Sequence, residues 1–319
     1  MSQKILITGA SGFAGSHLLN HLAENNTGIV GTYNSDKSLD SLGEIKKKGE
    51  FVKVDLTDEE KVSLLIQDTK PDVIYHLAAF ASAANSFSSP KETFINNVSS
   101  QINLLEAVRK NNLIKTKVLI VSSAEVYGDV SSEDLPMDER TPFNPNNPYA
   151  VSKLAQDFLG RQYFLAYKMD MIIVRPFNHI GPRQAPDFVV SAFAKKIAEI
   201  EKGKREPVLP VGNLEAKRDF TDVRDIVKGY ALLVQKGEAG QAYNIGSGKS
   251  YKISEILNML LSLSDIKISV EQDKSLFRPI DNPELLCNPG KLKMLTGWEP
   301  EIPIEVTLKD TLDYWRNII

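Results

Sequence analysis

The sequence predicts an α/β fold: a doubly wound parallel sheet with a smaller, mixed α/β lobe. Three observations predict it. From Lys4 to Arg175, apolar runs of four to six residues alternate with helical patterns; strands that short and that apolar are buried on both faces and joined by helical crossovers. The first run passes at once into a glycine turn and an amphipathic pattern, Gly9 to Leu22. After Pro176 the alternation loosens into loops and short elements, so 1–176 reads as one domain and 177–319 mainly as a second lobe, with segments that can cross back.

Residues 4–8, KILIT, form the first predicted strand. Gly9-Ala10-Ser11-Gly12-Phe13-Ala14-Gly15 then leads into a helix carrying Leu18, Leu19 and Leu22. Such a turn aims backbone N–H groups and a helix N-terminus at a phosphate, and glycine permits close approach. The G-x-x-G-x-x-G spacing is a variant of the dinucleotide fingerprint, and its place between strand and helix favours nucleotide binding over a plain tight turn. The second strand, 28–33, leads to Thr32, Tyr33 and Asn34 where an acidic residue would hold a ribose 2′-hydroxyl. Asp36 follows in a polar loop. A neutral strand end backed by Ser35, Lys37 and Ser38 accommodates a 2′-phosphate, which puts NADP(H) ahead of NAD(H).

Strands over 51–54, 73–77 and 117–122 alternate with helices over 59–67 and 91–111. Asp55 closes the third strand, where it either receives an adenine amino group or caps the next turn. His76-Leu77-Ala78-Ala79 ends the fourth with small residues, which leaves ligand space at a carboxyl strand end. His76 itself reads as a packed strand residue. The proline-rich loop 129–147 precedes a helix over 148–167 and a strand over 171–175. Beyond lie a loop over 177–187, a helix over 188–202, short elements, and a last amphipathic helix around 306–317.

Composition narrows the function. A hydrophobic fraction of 42% and a charged fraction of 25% in 319 residues are those of a globular protein. The net charge of −3, with dispersed basic residues, gives no reason to expect nucleic acid or an acidic membrane as partner, and Lys46-Lys47-Lys48 reads as a solvated helix end or loop. The sole cysteine, Cys287, excludes an internal disulfide, and the four histidines show no metal spacing, so no metal is expected. His17 and His21, four apart, read as structural. With a strand starting at Lys4 and no bilayer-length apolar run, the expectation is a cytoplasmic chain without a signal peptide.

The chemistry concentrates between Ser122 and Lys153. Tyr149 and Lys153, in NPYAVSK, lie one helical turn apart on one face. A phenol has a pKa of about 10, and a neighbouring ammonium favours its phenolate. Tyr149 is therefore the candidate proton relay, with Lys153 tuning it and Ser123 holding a substrate oxygen.

Six motifs in order, GASGFAG (9–15), HLAA (76–79), SSAEVYG (122–128), YAVSK (149–153), RPFNHIGPRQ (175–184) and RDFTDVRD (218–225), resemble the extended short-chain dehydrogenase/reductase superfamily of nucleotide-sugar epimerases, dehydratases and reductases over essentially the whole chain. The resemblance implies a Rossmann-type domain with a sugar-nucleotide lobe, and Ser123, Tyr149 and Lys153 as catalytic. It implies cofactor contacts from Gly9, Gly12, Phe13, Ala14, Gly15, Thr32, Asn34, Lys37, Asp55, Leu56, Leu77, Ala78, Ala79, Tyr149 and Lys153. It places a nucleoside-diphosphate sugar against Asn178, Phe188, Val189, Lys217, Arg218 and Arg278; arginine suits bidentate phosphate contact, while each of Asn178, Arg218 and Arg278 has an ion pair or loop cap as its alternative role. A homodimer through the helices over 91–111 and 148–167 is also implied.

GNLEAKRDF (212–220), 188–203 and TGWEPEIP (296–303) look most like enzymes of GDP-mannose derivatives: GDP-mannose 4,6-dehydratase and GDP-4-dehydro-6-deoxy-D-mannose reductase. A dehydratase needs a base at C5, for which Glu125 stands ready, and proton delivery to the C6 hydroxyl, which Ala124 cannot make. A reductase needs only a hydride to the C4 ketone and a proton from Tyr149. The expected reaction is therefore reduction of the GDP-linked keto sugar to GDP-D-rhamnose, with the dehydratase, or a 4-epimerase, as alternative.

Overall fold

The computed structural model describes residues 3–277 and 279–319. The chain runs β1 (Ile5–Thr8), α1 (Phe13–Leu22), β2 (Ile29–Tyr33), α2 (Asp36–Asp40), β3 (Glu50–Lys53), α3 (Glu59–Thr69), β4 (Val73–His76), α4 (Ala83–Ser86), α5 (Pro90–Lys110), β5 (Lys117–Val121), α6 (Pro148–Tyr167) and β6 (Met171–Pro176). It continues with β7 (Asn178–Ile180), α7 (Val189–Glu201), β8 (Val208–Val211), β9 (Lys217–Asp222), α8 (Val223–Lys236), β10 (Ala242–Ile245), β11 (Ser250–Lys252), α9 (Ile253–Leu261), β12 (Ser269–Gln272), β13 (Glu284–Leu285), α10 (Gly290–Thr296) and α11 (Ile304–Ile318).

Seven strands form one sheet in the order β3-β2-β1-β4-β5-β6-β10, every pair parallel. Alternate side chains of β1 go to opposite faces. Ile5 and Ile7 join Leu18 and Leu19 of α1 and Val227 and Tyr230 of α8; Leu6 joins Val62 and Ile66 of α3, Leu104, Leu105 and Val108 of α5, and Tyr163 of α6. The order of connection reverses between β1 and β4, so a crevice opens there at the carboxyl ends.

Past Pro176, Phe193 and Ile197 of α7, Ile256 of α9 and Leu308 and Trp315 of α11 pack with Leu209 and Phe220 into a separate core. The alternation that made the first six strands legible does not mark α8 and β10, which nonetheless return to the large sheet: four residues, AYNI, finish it beside β6. The segment read as a polar loop at Asp36 is a short helix, because Ser35 Oγ accepts from the Ser38 N–H at 3.3 Å and starts a turn. Lys46, Lys47 and Lys48 are exposed at the end of a 3-10 turn. His17 lies in α1, its Nε2 2.9 Å from the Pro182 carbonyl. Among the described residues no helix is long and apolar enough to cross a membrane.

One buried ion pair ties α6 to the sheet. Arg175 of β6 donates from Nε (2.7 Å) and Nη2 (3.1 Å) to the two oxygens of Asp157, and its guanidinium lies 4.7 Å from the Phe143 ring centroid. Both side chains are 6% exposed. Removing one partner strands the other charge, so Asp157→Ala is expected to lower the free energy of unfolding by about 3–5 kcal/mol, measured by urea titration.

Candidate active site

The turn after β1 is shaped by contacts that leave no room for side chains. Gly9 has φ +70°, and a Cβ there would lie 2.9 Å from Ala78 Cα; one at Gly15 would lie 2.2 Å from the Gly9 carbonyl. Gly12 caps α1 without a side chain, and no acidic residue occupies the first turn. The positive end of α1 is thus left for an anion. β2 braces the turn from below: Thr32 Oγ1 accepts from Gly9 N–H at 3.0 Å, and the Thr32 carbonyl accepts from Ala10 N–H at 3.0 Å.

Asn147 and Pro148 place α6. Asn147 Oδ1 accepts from the Ala150 N–H at 2.8 Å, and proline takes the first helical position, where its missing N–H is not needed. The helix is pinned sideways by Asn97 of α5, whose Nδ2 donates to Ser152 Oγ at 2.9 Å. Lys153 then reaches the end of β5, where its Nζ donates to the Val121 carbonyl at 2.8 Å, 5.9 Å from the Tyr149 ring centroid. Ser123, two residues past the strand, accepts the Glu125 N–H on its Oγ at 3.1 Å and stands close enough to the Tyr149 phenol to oppose the rise in its pKa.

These groups face one cleft of about 570 Å³. Gly9, Gly12, Phe13, Ala14, Gly15, Asn34, Asp55, Leu56, Leu77, Ala78 and Ala79 line one part of it; Ser123, Glu125, Tyr149 and Lys153 line the middle; Asn178, Phe188 and Val189 line the rest. Thr32 does not: it is buried behind the turn. Lys37 is exposed on α2, and Ser11, Ser35 and Ser38 stand at the cleft in its place. Asp55 lines the cleft while its Oδ1 accepts from the Thr57 N–H (2.9 Å) and hydroxyl (2.7 Å), the capping alternative. Lys217 lies 3.4 Å from Glu284, and Arg218 pairs with Asp281 and donates to the Asn282 carbonyl at 2.8 Å; neither lines the cleft. Arg278 lies outside the described residues.

Residues 6–311 match the GDP-mannose 4,6 dehydratase family. The chain is 33% identical to the GDP-6-deoxy-D-mannose reductase of Pseudomonas aeruginosa, over 99% of this chain and 98% of that one. The chain belongs to this family. It is 30% identical to a GDP-mannose 4,6-dehydratase of Yersinia enterocolitica, over 95% and 91% of the two chains. Among solved structures, RMD from P. aeruginosa complexed with NADPH superposes with a TM-score of 0.87 at 32% identity over the whole of both chains. The UDP-glucose 4-epimerase of Thermus thermophilus in complex with NAD superposes with the same score at 27% identity, over 99% of this chain and 100% of that one.

For a family member, some cleft residues were hard to assign from sequence. His179 stacks on Phe13, ring centroids 5.8 Å apart and planes 4° apart, and Gln184 donates to the His179 carbonyl at 2.9 Å. Both sit inside RPFNHIGPRQ, so the motif marked them without assigning a role. Ser11 sits inside GASGFAG and was likewise marked without a role, whereas Tyr230 carried no signal; its hydroxyl is buried with no partner among the described residues. His76 is a packed strand residue as expected, its Nδ1 2.9 Å from Thr8 Oγ1 and its pKa pushed down to about 3 by burial and then by Lys153.

The electrostatics correct one expectation. The net shift of Tyr149 is upward: burial pushes the phenol up to about 12, Ser123 opposes this, and the Glu125 carboxylate adds to it. The amine is spent on the Val121 carbonyl, and burial brings its own pKa down to about 7. Below pH 7 the folded chain therefore carries a desolvated ammonium. Between pH 7 and 10.5 the unfolded chain holds a proton that the folded chain has released, so this group's contribution to stability rises with pH. Lys153→Met should raise the melting temperature at pH 6, by removing a penalty on the order of a few kcal/mol, and the gain should shrink towards pH 10, as differential scanning calorimetry would show.

Proposed function

We propose that this chain reduces the C4 ketone of GDP-4-dehydro-6-deoxy-D-mannose to GDP-D-rhamnose, using NADPH in preference to NADH. The observation that carries the reading is geometric: Tyr149, buried one turn from Lys153, lines the cleft with Ser123 and Glu125, and the residue between those two is Ala124. Reduction needs an acid at the ketone oxygen. A dehydratase or a 4-epimerase begins by taking a proton from a C4 hydroxyl, and a dehydratase must also deliver one to the C6 hydroxyl. Ala124, buried beside Glu125, has no proton to deliver to a leaving C6 hydroxyl. The similarity to the Pseudomonas reductase over the full chain supports the same reading.

The cleft fits a dinucleotide: the uncapped end of α1 suits a pyrophosphate, and the small side chains of Ala78 and Ala79 leave space for flat rings. Asn34, Ser35 and Ser38 offer a ribose phosphate hydrogen bonds without a facing carboxylate, since Asp36 pairs with Lys53 at 2.7 Å. A bound NADPH supplies the hydride. The chain's residues do the rest. Ser123 donates to the ketone oxygen, Tyr149 passes its phenolic proton to that oxygen as negative charge develops there, and Lys153 anchors the cofactor ribose. Asn178, Phe188 and Val189 bound the sugar end, and Arg218 is assigned to the diphosphate by the family motif it stands in, RDFTDVRD. We also propose a cytoplasmic homodimer. Phe94 and Ile95 of α5 and Val151, Phe158 and Leu165 of α6 leave apolar side chains exposed on adjoining helices, a surface that a second copy would cover.

Glu125 favours a second reading. Its carboxylate lines the cleft, as the C5 base of a GDP-mannose 4,6-dehydratase would. The two separate in one assay. Addition of the keto sugar should consume NADPH in equal amount and give GDP-D-rhamnose by mass, and Tyr149→Phe should lower kcat by about 10²–10⁴-fold. Conversion of GDP-mannose to the keto sugar with no net change in cofactor absorbance would overturn the reduction in favour of the dehydratase.

A further inference from the structure

A line of asparagine side chains joins the second lobe to the mouth of α6. Asn147 accepts the Ala150 N–H on its Oδ1 at 2.8 Å, and its Nδ2 donates to Glu125 Oε2 at 3.1 Å and to Asn146 Oδ1 at 3.2 Å. Asn146 Nδ2 in turn donates to Asn282 Oδ1 at 2.6 Å. Asn282 is 5% exposed; its carbonyl accepts from Arg218, and its neighbour Asp281 pairs with the same guanidinium. Oxygen and nitrogen are both engaged in Asn146 and in Asn147, so the direction of every amide in the line is fixed by its neighbours. The line is mostly sequestered from water, where a lost partner is felt in full.

We propose that Asn282 is a positioning residue: from the second lobe it sets, through Asn146 and Asn147, the Glu125 carboxylate and the first turn of the helix that carries Tyr149. The inference rests on Tyr149 as the proton donor of the reduction. Asn282 touches no reacting atom. Its segment also carries the partner of Arg218, so that ion pair in the second lobe and the helix that carries Tyr149 share one hydrogen-bonded line.

Asn282→Ala and Asn282→Asp test it, the second keeping the accepting oxygen. In the full chain with NADPH and the keto sugar, the alanine variant should lose about tenfold in kcat with KM for NADPH within about twofold of wild type, the aspartate variant recovering most of the loss. Hydrogen exchange at the Ala150 amide, measured on the same proteins without substrate, should quicken by about fivefold in the alanine variant alone, the effect of a loosened cap. An alanine variant with wild-type kcat and wild-type exchange overturns the proposal. So does an aspartate variant as impaired as the alanine one, with both melting lower, since that marks a packing role. Wild-type protein run alongside reports on the reduction itself: if it leaves NADPH unoxidised, the proposed reaction fails, and exchange at Ala150 still decides the positioning role.

Discussion

The bond from Lys153 Nζ to the Val121 carbonyl sets where the catalytic helix meets the sheet, at a cost in burial of the amine. It locks α6 to the carboxyl end of β5, and with it the Tyr149 ring beside Ser123, one residue pair further along. Strand β5 is buried and paired on both sides, so the anchor is rigid. Arg175 and Asp157 fix the same helix further along, and Asn97 fixes it sideways through Ser152. A helix held at three points presents its phenol in one place, which proton transfer requires.

Burying an amine and a phenol together is unfavourable for their charged forms, and the chain accepts that penalty at the site rather than in the core. Lys153 is drawn towards neutrality and Tyr149 kept protonated by one cause, the removal of water, and Glu125 reinforces the second effect. At neutral pH the phenol is therefore in its protonated form, the form from which a proton can pass to an oxygen that gains negative charge.

Much of this was legible in the sequence. The predicted span 148–167 of α6 is the one observed, and the structure adds Asn147 as its cap. The glycine turn, the small residues after β4 and the alternation of the first six strands are local signals, and they lead to the cleft. What the sequence did not show depends on distant partners. β10 is four residues with no pattern of their own, completed by pairing with β6. Thr32 looked like a cofactor contact because it sits at a strand end, but its hydroxyl is turned under Gly9. Lys217 and Arg218 sit in a motif of the family yet meet Glu284 and Asp281, about sixty residues later in the chain. The acidity of Tyr149 was misjudged because spacing shows that an amine is one turn away, whereas burial and the direction of Lys153 depend on the whole fold.

The most direct test is a titration of the Tyr149 phenol by NMR, with the Cζ carbon of tyrosine labelled and the signal assigned by its loss in Tyr149→Phe. The account predicts a midpoint near about 12, with the signal still that of the protonated ring at pH 10. A midpoint at or below the ordinary tyrosine value of about 10 would contradict it.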